Sequence, residues 1–127
     1  MILDASAILA MILAEPGSQD LIRRVGESPV VAVGAPTLVE TAMVLSSGLK
    51  RDPRPLLNEF LREAEVEVIP FTRDHYEVAM DAFARFGRGR HAAGLNFGDC
   101  LTYAVARISG LPLLFTGRDF SKTDLAH

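Results

Sequence analysis

Four short apolar segments constrain this chain more than anything else in it: Ile2-Leu3, Pro29-Val30-Val31-Ala32-Val33, Val66-Glu67-Val68-Ile69 and Leu113-Leu114-Phe115. The second is apolar at every position, which suits a strand buried on both faces of a parallel sheet and not the alternation of a half-wet antiparallel one. Helical patterns separate the strands. Residues 5–14 form an apolar helix stopped by Pro16. Residues 17–26 follow, with Leu21, Ile22 and Val25 as the buried face. A helix opens at Thr37-Leu38-Val39-Glu40 and runs to Ser47 or Leu49, and residues 56–64 form another after the Asp52-Pro53-Arg54-Pro55 turn. Thr72 caps a helix ending at Phe86. Alternating strands and helices predict an α/β fold with a mainly parallel central sheet, in one domain over residues 1–127. Ligands of such sheets bind beyond the carboxyl ends of the strands.

Four acids fall where that rule puts a site. Asp4 follows the first strand, Glu40 lies a turn into the helix after the second, and Asp119 lies past the end of the fourth. Asp99 opens the helix that follows the loop Leu95-Asn96-Phe97-Gly98. Asn96 is a good N-cap, and apolar Leu101, Ala104, Val105 and Ile108 give that helix one buried face. Each acid also has a local structural explanation. Asp4 suits an N-cap, Thr37-x-x-Glu40 a capping box, Asp99 a helix first turn and Asp119 a turn. The joint pattern carries the chemistry. Carboxylates brought together repel unless protonated or bridged by a cation. Oxygen ligands with little His or Cys favour Mg²⁺ or Mn²⁺, ions that act on phosphate esters. Metal-assisted hydrolysis of a phosphodiester or phosphomonoester is therefore expected. Relief of the repulsion by Asp4→Asn is expected to raise metal-free stability.

The motifs Asp4-Ala5-Ser6-Ala7, Pro36-Thr37-Leu38-Val39-Glu40, Gly94-Leu95-Asn96-Phe97-Gly98-Asp99-Cys100 and Leu114-Phe115-Thr116-Gly117-Arg118-Asp119-Phe120-Ser121-Lys122-Thr123-Asp124 resemble those of the PIN-domain ribonucleases. The likeness is greatest to the VapC-type toxins of prokaryotic toxin–antitoxin pairs, and it spans the whole chain. The resemblance implies a three-layer α/β/α sandwich, a Mg²⁺- or Mn²⁺-dependent endoribonuclease acting on RNA, a homodimer, and inhibition by a cognate antitoxin. By position it implies an acidic catalytic and metal-binding site of Asp4, Glu40, Asp99 and Asp119. Ser6 and Thr116 match hydroxyls that orient carboxylates or water, a role equally open to caps and turns.

Arg85, Arg88, Arg90 and His91 cluster in and before a glycine-rich loop, where guanidinium groups suit RNA phosphates and the glycines let the loop adapt. Lys50, Arg51 and Arg54 read as surface charge, and Asp124 as part of a polar tail. The net charge of −3 does not point to nucleic acid, though a local basic patch can act alone. No apolar run spans a membrane, Met1-Ile2-Leu3-Asp4 lacks a signal-peptide n-region, and the single Cys100 suits a reducing, cytoplasmic setting. A helix face such as Ala42-Met43-Leu45-Leu49 is expected to supply a dimer interface. Two rivals stand beside the ribonuclease reading. A haloacid-dehalogenase-like phosphatase would show Asp-x-Asp after the first strand, where this chain has Ser6. A non-catalytic interaction module would scatter its acids as caps over separate helix ends.

Overall fold

The computed structural model describes residues 1–125 and 127. Four strands, β1 (Ile2–Leu3), β2 (Ala32–Gly34), β3 (Glu67–Ile69) and β4 (Leu113–Leu114), form one sheet in the order β3-β2-β1-β4. Every pairing is parallel. Six helices complete the fold: α1 (Ala5–Ile12), α2 (Ser18–Glu27), α3 (Ala35–Leu49), α4 (Arg54–Glu63), α5 (Arg73–Phe86) and α6 (Phe97–Ser109).

The pleat sorts the strand residues between two cores. Ile2, Ala32 and Leu113 pack with Phe86, Leu95, Tyr103 and Val105 under α5 and α6. Their neighbours Leu3, Val33 and Leu114 pack with Ile8, Leu21, Leu45 and Leu57 under α1 to α4. The result is a three-layer α/β/α sandwich, built on strands of only two or three residues; β1, β2 and β4 are buried on both sides, while the edge strand β3 leaves Glu67 and Val68 exposed.

Tertiary contacts shift several boundaries. Pairing of β2 begins at Ala32, whose N–H donates to Met1 O at 2.9 Å. It ends at Gly34, where a Cβ would sit 2.8 Å from Val105 Cγ2. Gly34 therefore lets α6 lie close over the sheet, and it is also the N-cap of α3, with Pro36 in the first turn. The helix thus starts at Ala35, ahead of the expected Thr37. In α6 the buried stripe is Cys100, Tyr103, Ala104, Val105 and Ala106, and Ile108 is exposed. Ile22 likewise lies outside the buried face of α2. The proposed interface face of α3 divides: Leu45 is core at 2% exposure, while Met43 stands out at 66%. Ala42 and Leu49 pack against the same core, so the exposed apolar side of α3 is Val39, Met43 and Val44.

Candidate active site

Asp4 leaves β1 with its N–H bonded to Leu114 O at 3.0 Å, which fixes it at the carboxyl ends of β1 and β4. Its carboxylate caps α1. Oδ2 accepts from Ser6 N at 3.1 Å and from Ser6 Oγ at 2.6 Å. Oδ1 accepts from Thr102 Oγ1 at 2.9 Å. Thr102 has only one hydroxyl proton, and Asp4 takes it, so Thr37 Oγ1 donates to Thr102 across their 3.0 Å contact. Thr41 Oγ1 in turn donates to Thr37 O at 2.8 Å. A chain of buried hydroxyls from α3 and α6 thereby aims at Asp4. Thr116 joins through its backbone, with its N–H donating to Ser6 Oγ at 3.0 Å. Its exposed side chain has no carboxylate partner among the described residues, and the second hydroxyl on Asp4 is that of Thr102.

Asp99 and Asn96 form a reciprocal capping box. Asp99 N donates to Asn96 Oδ1 at 2.9 Å, and Asn96 N to Asp99 Oδ2 at 3.1 Å. Asp99 is 8% exposed. Burial pushes its carboxyl up to about 7; the Asn96 N–H pulls the other way, and the Asp119 and Asp4 carboxylates add to the rise. Thr37-x-x-Glu40 is not a capping box, because Thr37 lies inside α3 with its hydroxyl turned to Thr102. Glu40 is thereby free to reach the pocket. A Cβ on Gly98 would meet its Oε2 at 2.7 Å, so the carboxylate rests against the residue preceding Asp99. Although the residue as a whole is exposed, that contact strips water from its carboxylate. Loss of hydration, with Asp4 nearby, raises its pKa. Asp119 is exposed, follows a turn at Gly117 (φ +81°), and brings its side chain to Asp99.

The four acids thus gather at the carboxyl end of the sheet, with Asp99 beside Asp4 and Asp119 and Glu40 beside Asp4, and two of them serve in helix caps at the same time. Scatter over separate helix ends, the signature of a non-catalytic module, is absent among these residues. Among the described residues, no three His, Cys, Asp or Glu side chains are close enough to hold an ion unaided. Mg²⁺ keeps several waters and takes only one or two carboxylates directly, so an oxygen-only pocket of this looser spacing suits it. Mn²⁺ shares the preference for oxygen ligands. Cys100 is buried and its thiol is raised by burial and by Asp99, which makes it a core residue and not a nucleophile.

The basic loop is less free than its glycines imply. Arg88 N donates to Leu95 O at 3.0 Å and Leu95 N to Phe86 O at 2.9 Å, which closes the loop at its base and leads directly into Asn96. Arg85 lies over the Phe86 ring at 4.6 Å and bonds Asp124 at 3.2 Å. Arg90 lies over the Phe83 ring at 4.9 Å. Arg88 has no side-chain hydrogen bond or ion pair among the described residues, and is the arginine of the three most available to a phosphate. Sequence reasoning missed Thr37 and Thr102; the available signal was a Thr one turn past Asp99 within an apolar helix stripe. It also missed Asp124, which accepts from Tyr103 Oη at 2.6 Å.

The PIN domain family profile matches residues 1–125. A protein named Ribonuclease VapC from Mycolicibacterium smegmatis is 39% identical over 126 residues, covering 99% of this chain and 98% of its own. Ribonuclease VapC30 of Mycobacterium tuberculosis is 36% identical over 126 residues, covering 99% and 96%. Among solved structures, Mycobacterium tuberculosis VapC20, described as a Sarcin-Ricin loop cleaving toxin, superposes with a TM-score of 0.78 at 23% identity, covering 98% of this chain and 95% of its own.

Proposed function

The chain belongs to the PIN domain family and, within it, to the VapC ribonucleases, and from that premise we propose that it is a Mg²⁺- or Mn²⁺-dependent endoribonuclease, the toxin of a toxin–antitoxin pair. The observation that carries this reading is the gathering of Asp4, Glu40, Asp99 and Asp119 from four separate segments at the carboxyl end of the sheet, with Asp99 and Glu40 raised there by lost hydration and neighbouring carboxylates. The buried Asp99, pushed up to about 7, and the partly desolvated Glu40, raised beside Asp4, make a pocket that favours a divalent cation over the empty state. Asp4, Glu40, Asp99 and Asp119 would hold the ion, and when bound it supplies an activated water and a Lewis acid for the phosphodiester. Ser6 and Thr102 orient Asp4 toward it. Arg88 and Arg90, on the loop leading into the Asn96 cap, engage RNA phosphates.

Two partners complete the proposal. Val39, Met43, Val44 and Phe97 expose an apolar surface continuous with Leu101, and a second copy of the chain covers it. A cognate antitoxin blocks the acidic pocket with a basic side chain, since a guanidinium pairs with two carboxylate oxygens. No helix among the described residues is long and apolar enough to cross a membrane, and the free Cys100 fits a cytoplasmic protein.

The test is RNA cleavage with and without EDTA, in wild type and Asp99→Asn. The variant keeps an oxygen for the Asn96 N–H, so its fold should persist while cleavage is lost. Full cleavage in EDTA, or by a folded Asp99→Asn, refutes the mechanism.

A further inference from the structure

Asp119 rides on a stretch without helix or strand, from Phe115 to Leu125 after β4. Its carboxylate lies beside that of Asp99, and once both are ionised the like charges push such a segment outward unless something holds it. Three fastenings do so. Thr116 N bonds Ser6 Oγ at the near end. Phe120, 1% exposed, packs edge-on against Phe115 at 5.2 Å in the middle. Asp124 closes the far end: Oδ1 accepts from Tyr103 Oη at 2.6 Å, and Oδ2 faces Arg85 at 3.2 Å and Arg107 at 3.7 Å.

The far fastening stands on the same helix as the acid pocket. Tyr103 is one turn past Asp99 on α6, on the same face. Residues 119–124 therefore arch along that turn, with Asp119 against Asp99 and Asp124 against Tyr103. The Tyr103 ring is buried and packs 5.9 Å from Phe86, so its hydroxyl is a fixed point and not a mobile surface group. The bond from hydroxyl to carboxylate is charge-assisted and short, the strong class of hydrogen bond. Nothing in the ion chemistry uses Tyr103 or Asp124 directly.

We infer that Tyr103 and Asp124 are positioning residues for the acidic pocket, holding the Asp119 carboxylate beside Asp99 through the intervening Phe120–Asp124 stretch. The inference rests on the proposed ion site. Its alternative is that the pair only secures the end of the chain.

Mn²⁺ binding to the full chain, followed by electron paramagnetic resonance, separates the two without any RNA. Tyr103→Phe keeps the buried ring and removes only the hydroxyl. It should weaken Mn²⁺ about tenfold, the low end of what orienting partners contribute. In an Asp119→Asn background the same change should do nothing, because the carboxylate it positions is already gone. An unchanged Kd, or an equal weakening in both backgrounds, overturns the inference. Asp124→Ala, at a partly exposed side chain, gives the same comparison if Tyr103→Phe does not fold. Amide exchange in metal-free protein reads the hold directly: residues 117–121 should exchange faster in Tyr103→Phe while α6 is unchanged, and equal rates also overturn it. A wild-type chain that binds no Mn²⁺ instead removes the ion site and this role with it. Wild-type binding with indifferent variants removes this role alone.

Discussion

Replacing Asp99 by Asn should stabilise the metal-free protein at pH 8 while abolishing its response to metal. Burial, with help from Asp119 and Asp4, raises the folded-state pKa of Asp99 from 3.8 to about 7. A raised acid pKa means that the folded state holds the proton more tightly than the unfolded chain does. That contribution is fully present below about pH 4 and is lost as pH rises through 7. A rise of ~3 pH units corresponds to at most about 4 kcal/mol, at 1.36 kcal/mol per unit. The pocket opens to solvent beside exposed Glu40 and Asp119, so screening reduces this to about 2 kcal/mol. For a domain of this size that is a melting shift of roughly 6–10 °C. Calorimetric melts in EDTA from pH 5 to pH 8 measure it. Wild type should lose stability across that range, and Asp99→Asn should lose much less; Glu40, raised in the same direction, leaves a residual slope. Mg²⁺ should restore wild type at pH 8 and leave the variant unmoved. Asp4→Asn is the control, and the structure reverses the expectation stated for it from sequence. Asp4 accepts three hydrogen bonds from Ser6 and Thr102, and an amide would set an N–H₂ against at least one donor. It should melt lower, not higher. Wild-type stability flat between pH 5 and 8 in EDTA, together with a lower melting temperature for Asp99→Asn at pH 8, would refute the charge argument.

Gly98→Ala places a Cβ 2.7 Å from Glu40 Oε2 and displaces that carboxylate. Cleavage should fall at least about tenfold while stability holds or rises by up to ~1 kcal/mol, because Ala favours the helix; paired melting and cleavage assays check both. Thr102→Val keeps the shape but strands the Thr37 hydroxyl and removes a bond to Asp4, so urea unfolding should show a loss of about 1–3 kcal/mol. Arg88→Ala should weaken RNA binding and lower its salt slope by about one, more than Arg90→Ala, whose guanidinium is engaged with Phe83. Equal slopes in wild type and both variants would move the RNA path off this loop.

Local signals carried the strand positions, the parallel α/β class and the Asn96–Asp99 cap, because each depends on residues within a turn or two of one another. The same locality misled at Thr37-x-x-Glu40. A capping box is legible in four residues, but Gly34, by admitting Val105, starts the helix early and turns Thr37 inward. Helical period marks an apolar stripe without saying which neighbour covers it, so Leu45 went to the core and Met43 to the surface by packing alone. The acids were visible as strand-end residues, and cap or ligand looked like alternatives; in the folded chain Asp4 and Asp99 are caps that also line the pocket. What holds them there was beyond sequence reach. Thr102 reaches Asp4 across 98 residues of chain and Tyr103 reaches Asp124 across 21, and no spacing rule links positions that only the closed sheet and the packing of α6 bring together.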